Sequence, residues 1–241
     1  MSRTRLVLVR HGQASALSGD YDQLSDLGRE QSRRVGPWLA RWAREPAHVL
    51  VGPRLRHLQT YEEALRTAEA EGARWPEPEP APGLDEHHGI QLVHHVGAEL
   101  VSREDEIGEL ARAAFAATSD HTRHWLRMFK ALMIAWARGE VGHQAVEPWV
   151  DFRARVRAVL EDAARREGTV IAFTSGGAIG VAVGEVLGLD DAQGGDARTL
   201  DLCWAVRNAS VHEISFSRRS ATLVSFNGVA HLDREDLITM V

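Results

Sequence analysis

Apolar residues follow two rhythms along this chain. Leu6 to Val9, His48 to Val51 and Thr169 to Thr174 are continuous apolar runs too short for helices, rich in β-branched side chains, and each ends at a turn; they predict buried strands of a parallel sheet. Between them the spacing is helical. Ser25 caps a predicted helix with Asp26 in its first turn and Leu27, Val35, Trp38, Leu39 and Trp42 at helical spacing, closed by Pro46. A second helix is predicted to begin near Gln59 and Thr60, after the turn Gly52 to Arg56. Residues 75 to 83, with four of the eight prolines, read as an extended linker that delivers Leu84, Asp85 and Glu86. Glu99 to Arg138 is helical in composition with one break, where Ser119 or Asp120 caps the next helix, and Trp125, Leu126, Phe129, Leu132, Met133 and Trp136 form a wide buried face. Pro148 opens another helix, with Phe152, Val156, Val159, Leu160 and Ala163 inward, ending before Gly168. Ser175, Gly176 and Gly177 lead into a helix from Ala178 to Leu187. Val211 to Phe216 and Ala221 to Phe226 alternate and predict antiparallel strands. The expected fold is α/β, a three-layer α/β/α sandwich with a mostly parallel sheet, one domain over residues 1 to 241 with a helical insertion near 92 to 147.

Composition adds limits. The 241 residues carry 28 basic and 34 acidic side chains, a net charge of -6, which gives no general attraction to nucleic acid or anionic membrane. Lys130 is the only lysine among the basic residues, so an isolated arginine is weak evidence of phosphate binding. Cys203, the one cysteine, leaves no intramolecular disulfide and reads as a small core residue. The N-terminal apolar stretch is too short for a signal peptide or a membrane span, which predicts a cytoplasmic protein.

Three strand-to-turn junctions carry polar groups: Arg10 and His11, Arg54 to His57, and Ser175 to Gly177. Right-handed crossovers bring such junctions to one sheet edge, where ligands bind in open α/β sheets. A neutral imidazole backed by guanidinium groups there can attack phosphorus; the bland alternative is a solvated strand end. Two rivals use the Ser175 turn. A serine-hydrolase elbow needs Gly two positions before the serine, where Phe173 stands, so a Ser175 with His231 esterase is disfavoured. A dinucleotide fingerprint lacks its first glycine, replaced by Ser175, although Gly177 and Gly180 remain. The pairs His87 His88 and His94 His95, beside Asp85 and Glu86, raise a metal site, but adjacent histidines on an extended chain point to opposite sides and no ligand spacing recurs, so no metal is expected. His121 and His124 read as a solvated face, and Trp125 and Trp136 as core.

The motifs together resemble the histidine phosphatase superfamily, the phosphoglycerate-mutase-like fold, over nearly the whole chain. They are Arg10 His11 Gly12; the Leu-Ser-x-x-Gly-x-x-Gln segment within Asp22 to Gln31; Gly52 to Thr60; Leu84 Asp85 Glu86; and Phe226 to Leu232. The resemblance implies that His11 is a nucleophile that becomes phosphohistidine. It also implies that Glu86 is the proton donor, and that Arg10, Arg56, Gln13 and Ser175 bind phosphate, with no cofactor. Two departures stand out. Ser175 occupies the place of the family's second catalytic histidine and cannot carry its charge, with His57, His87 and His88 as candidate substitutes. The longer Glu-Arg-His-Tyr-Gly run of the mutases is missing at Glu86 to Gly89, which favours hydrolysis of a small phosphorylated substrate over the mutase reaction. The alternative is a catalytically weak member that binds a phosphorylated ligand or partner. The insertion and the 14 to 23 loop are expected to choose the substrate, and the tryptophan-rich insertion offers a homodimer face.

Overall fold

The computed structural model describes residues 4–14, 22–189 and 194–240. In chain order the elements are β1 (Thr4–Arg10), α1 (Asp26–Trp42), β2 (His48–Val51), α2 (Leu55–Ala70), β3 (Glu79–Pro80), α3 (Gly89–Ser102), α4 (Glu106–Ala116) and α5 (His121–Ala137). They continue with α6 (Trp149–Arg165), β4 (Thr169–Thr174), α7 (Gly176–Val186), α8 (Gly195–Ala205), β5 (Val211–Phe216) and β6 (Ala221–Gly228).

The strands form one sheet in the order β3-β2-β4-β1-β5-β6. β1, β2 and β3 run parallel with their neighbours on the β4 side, and β5 and β6 complete the other edge antiparallel. Side-chain alternation divides the core between the two faces. Val7, Val9, Val49, Val51, Ile171 and Phe173 pack under Val35 and Leu39 of α1 and Tyr61 and Ala64 of α2. Leu6, Leu8, Leu50, Val170 and Ala172 face the opposite way, onto Phe152 and Val156 of α6 and Ile179 and Val183 of α7, with α3 and α5 stacked beyond. This is the expected three-layer α/β/α sandwich with a mostly parallel sheet. No helix among the described residues is long and apolar enough to cross a membrane.

Several boundaries differ from the sequence reading. α2 starts at Leu55, earlier than Gln59, because its cap comes from elsewhere in the chain: Arg54 offers no capping side chain, and Asp22 Oδ2 accepts from Leu55 N–H at 3.0 Å. The proline-rich linker contains β3, paired in parallel with β2. The insertion begins at Gly89 and has two breaks rather than one. The unforeseen break is closed by Asp105, whose side chain accepts from Gly108 N–H at the start of α4. Asp120 does precede α5 but in a left-handed conformation (φ 51°) and without a side-chain cap. On α5 the buried stripe centres on Met128, Leu132, Met133 and Trp136, and Leu126 is 52% exposed. The face is thus rotated from the one expected, with Trp125 and Phe129 stacked on each other at its rim, 4.8 Å between ring centres.

α8 escaped the reading because it is packed by close approach rather than by an apolar stripe. A Cβ on Gly180 of α7 would overlap Cys203, and one on Gly184 would press on Thr199. Gly180 therefore serves helix packing and not a phosphate loop. Cys203 is buried in that contact, as expected, and burial pushes its thiol well up.

Candidate active site

The three junctions do converge. β1, β4 and β2 are adjacent, and their ends are wired together: His11 N–H donates to Thr174 O at 2.9 Å and Gly52 N–H to Phe173 O at 3.0 Å. Thr174 Oγ1 donates to Leu84 O at 2.7 Å, which ties the turn bearing Glu86 to the same edge.

The His11 turn is fixed by close contact. A Cβ on Gly12 would overlap Gly28 O of α1, and one on Gly28 would overlap Gln13 O. Only glycine at both positions lets the turn lie against the first turn of α1, which accounts for the glycine in the segment Asp22 to Gln31. Ser25 caps that helix as predicted, accepting from Gly28 N–H at 3.0 Å. Gln31 Oε1 accepts from Gln13 N–H at 2.8 Å, and Thr60 Oγ1 from Gly12 N–H at 3.1 Å. The Gln13 side-chain oxygen accepts from the Ser25 hydroxyl at 2.9 Å, which ties Gln13 to the cap of α1.

His11 is 5% exposed. Its Nδ1 lies 2.7 Å from Gly12 O, a group that can only accept, so Nδ1 carries the proton and Nε2 the lone pair. Burial, then Arg10, Arg56 and His57, push its pKa well below the ordinary value, outweighing the Gly12 carbonyl, and the imidazole stays neutral. Arg56 is buried and held by Asp22 Oδ1 at 2.9 Å. Asp22 thus orients a candidate phosphate ligand and caps α2 at once. Nothing in its local sequence signals either role. Arg10 lies against Gly176 and donates from Nη1 to the carbonyls of Val206 and, at 2.7 Å, Met240. The C-terminal segment of residues 237 to 240 is itself anchored beside the site, with Gln31 Nε2 donating to Leu237 O at 2.8 Å and Asn208 N–H to Thr239 O at 2.9 Å.

Glu86 meets the N-terminus of α7. Its Oε2 accepts from Gly177 N–H at 3.2 Å and its Oε1 from His87 N–H at 3.0 Å. A Cβ on Gly177 would overlap Oε1, so glycine is required for this approach. The anion position at this helix end is taken by the chain's own carboxylate. Burial raises the Glu86 pKa, but His87, Arg56 and the N–H groups of Gly177 and His87 outweigh it and hold the carboxyl below its ordinary value. The turn is braced by Arg155 on α6, whose Nη1 donates to Gly83 O at 2.9 Å and Asp85 O at 2.8 Å. Arg54 pairs with Asp85 and lies 3.0 Å from His88 Nε2.

Ser175, buried, caps the end of β4, and its Oγ lies 2.6 Å from His57 Nε2 and 3.4 Å from Arg56 Nη2. Of the three histidines considered as substitutes, His57 alone makes such a contact. His87 packs edge-on against Phe152, ring centres 5.8 Å apart, and His88 faces Arg54. His231 donates to Ala209 O at 2.8 Å, away from Ser175, so no serine-hydrolase pair forms. His95 stacks on His143 at 4.1 Å in the insertion, and no cluster of metal-ligating residues occurs among the described residues. The loop expected to select substrate falls mostly on residues 15–21, outside the described residues.

Chemically, the arrangement sets a neutral imidazole beside two guanidinium groups and a carboxylate at a sheet edge. A comparison with curated protein sequences finds no match. Among solved structures, the fold is similar to a putative alpha-ribazole-5'-P phosphatase from Escherichia coli at 16% identity, covering 94% of this chain and 98% of that one with a TM-score of 0.60. It is similar to a mycobacterial glucosyl-3-phosphoglycerate phosphatase at 20% identity, covering 94% and 99% with a TM-score of 0.59. It is also similar to a phosphoglycerate mutase from Bacillus anthracis str. Sterne at 14% identity, covering 96% of both chains with a TM-score of 0.59. The family model for branch 1 of the histidine phosphatase superfamily matches residues 6–106 and 103–228, and the chain belongs to that superfamily.

Proposed function

We propose that the protein hydrolyses phosphate monoesters of small molecules through a phosphohistidine on His11. The observation that carries this reading is the state of His11: neutral, with Nδ1 held by Gly12 O and the Nε2 lone pair left for attack. In the first step the Nε2 lone pair forms an N–P bond as the ester O–P bond breaks, and the Glu86 carboxyl gives its proton to the leaving alkoxide. In the second step water attacks phosphorus, Glu86 takes its proton, and the N–P electron pair returns to His11 as inorganic phosphate leaves. Arg10 and Arg56 offset the negative charge of the transferring group.

Glu86 is ionised in the unliganded protein, whereas the first step needs it protonated. An arriving phosphate dianion supplies the difference, because a like charge nearby raises the carboxyl's pKa. The low resting pKa of Glu86 and the uncharged Ser175 also favour a second reading, a protein that binds a phosphorylated ligand with little turnover.

The test is phosphate release from p-nitrophenyl phosphate and a panel of metabolite monoesters. His11→Ala is expected to lower kcat by more than about a thousandfold, since loss of a nucleophile is among the largest single-residue effects. Turnover that survives His11→Ala overturns the phosphohistidine. No turnover in either protein, with vanadate still bound by the wild type, establishes the binding reading.

A further inference from the structure

A buried imidazole that this scheme leaves unused lies beside the nucleophile. His57 on α2 is shielded completely from solvent, and its ring centre is 5.8 Å from that of His11. The room for it is prepared on the other side by Gly52, where a Cβ would overlap His57 Nδ1. A histidine in this position is costly. Burial, Arg56 and Arg54 lower its pKa to about 3, with Glu86 and the Gly52 backbone opposing them. A side chain that only filled space would avoid that cost.

What His57 touches is Ser175, at 2.6 Å from Nε2 to Oγ, and the same Oγ accepts from Arg56 Nη2 at 3.4 Å. A hydroxyl has one proton and two acceptor positions. Arg56 can only donate, so it occupies one acceptor position. With the proton of His57 on Nε2 the imidazole occupies the second, and the Ser175 proton is left to point at a third group. The opposite tautomer would draw the Ser175 proton to His57 and turn an oxygen lone pair to the site. The Gly52 backbone beside Nδ1 favours that opposite tautomer in the unliganded chain, and a phosphoryl dianion draws the pair into the first arrangement, in which a donor faces it. The ring that holds the Ser175 hydroxyl lies 5.8 Å, centre to centre, from that of His11, and Arg56 reaches the same hydroxyl, so the pair borders the space a phosphoryl group on His11 would enter.

We propose that Ser175 and His57 act as one hydrogen-bonding unit on the phosphoryl group carried by His11: Ser175 Oγ–H is the catalytic donor, and His57 is the positioning residue that aims it. The inference rests on the phosphatase reading, and it supplies the second imidazole of the site from α2 instead of from the end of β4. The charged and titratable groups facing His57 are Arg56 on its own helix and Arg54 just before it, Glu86 after β3, and His11 after β1.

The experiment compares kcat/KM for p-nitrophenyl phosphate, vanadate affinity and Tm in wild type, His57→Ala, His57→Gln, Ser175→Ala, and the double variants His57→Ala/Ser175→Ala and His57→Ala/Ser175→His. His57→Ala and Ser175→Ala are each expected to lower kcat/KM by about tenfold to a hundredfold, the loss of one aimed donor to the transition state, and to weaken vanadate. The double alanine variant is expected to be no worse than the poorer single, because the two residues deliver one hydrogen bond. His57→Gln, which keeps an N–H in reach of Ser175, recovers part of the loss. His57→Ala/Ser175→His recovers most of it, since the new ring enters the space the old one vacates.

Kinetics and vanadate affinity within twofold of wild type in His57→Ala, or additive losses in the double alanine variant, overturn the unit. Ser175→Ala removes only a hydroxyl and carries the test where His57→Ala fails to fold. Failure of the phosphatase reading is separate: it is seen as absent turnover in wild type, and vanadate affinity across the same variants then decides the pair.

Discussion

The sheet edge that holds His11 and the helical insertion of α3 to α5 are built by opposite means. At the edge, Arg56, His57, Thr60, Thr174 and Ser175 are buried polar groups that each meet a partner from another segment, and the buried His11 ring is fixed by the carbonyl of the adjacent Gly12. Gly12, Gly28 and Gly177 are there to let backbone or carboxylate approach more closely than any side chain would allow. In the insertion, Leu92, Val96 and Leu100 of α3 and Met128, Leu132 and Met133 of α5 form an apolar stripe, and His94, His95 and His121 stay outside in solvent. One region is specified by distance and hydrogen bonding, the other by area removed from water. Substitutions and pH should therefore act on them differently.

The largest contrast is expected in acid. His57 and His212 are buried with pKa values lowered to about 3, by burial first, then for His57 by Arg56 and for His212 by Arg10. Near pH 7 both are neutral folded or unfolded and contribute nothing. As pH falls below about 6.5 the unfolded chain binds protons that the folded chain refuses, so stability drops, by about 1.4 kcal/mol per histidine per pH unit. The loss continues until the pH nears 3, where the folded state also protonates. Hydrogen exchange between pH 7 and 4.5 is the measurement. Protection at β1, β4 and the start of α2 should fall in step with global stability, and replacing His212 by Gln should flatten the slope by up to one proton. An unchanged slope would show that His212 takes up its proton equally in the folded and unfolded chain.

Next in size is Gly177→Ala. The added methyl displaces Glu86 Oε1 from the N-terminus of α7, and the displaced group is the end of a side chain that can turn aside. The loss should fall on kcat, by roughly a hundredfold, the scale for misplacing a proton donor, while thermal unfolding changes little. Equal loss of Tm and kcat would mean that Gly177 is a packing residue and Glu86 a bystander.

The same division decides what could be read from the sequence. The strands β1, β2 and β4 were legible because their apolar runs are continuous and end at turns, and the convergence of His11, Arg56 and Ser175 follows from parallel order alone. Ser25 was legible as a cap because it acts three residues along. Asp22 was not, since its partners, Leu55 and Arg56, lie more than thirty residues away and only the fold brings them near. The His57 contact to Ser175 was open among three histidines, because sequence proximity to a motif does not say which way a ring points. α8 was missed for want of an apolar stripe, its packing resting on Gly180 and Gly184 of another helix. In the insertion, periodicity gave helices but placed the buried face of α5 about one position off, since Trp125 and Phe129 are large enough to weight the pattern from the rim.

That rotated face yields the smallest expected effect and a sharp check on the comparison. Leu126, inward by helical spacing, stands 52% exposed, whereas Met133, seven positions on, is buried completely. Removing side-chain atoms beyond Cβ from a closed core forfeits transfer energy and leaves a cavity, so Met133→Ala should cost about 2 to 5 kcal/mol of stability. Leu126→Ala removes a similar number of atoms from a site already in water, and alanine suits a helix as well as leucine, so its effect should stay within about 0.5 kcal/mol. Denaturant melts of the two variants give the difference directly. If Leu126→Ala proves as costly as Met133→Ala, then Leu126 is covered in solution, as it would be were this face of the insertion a contact between two copies of the chain. A melting midpoint that rises with protein concentration would identify that case, because an interface stabilises by mass action.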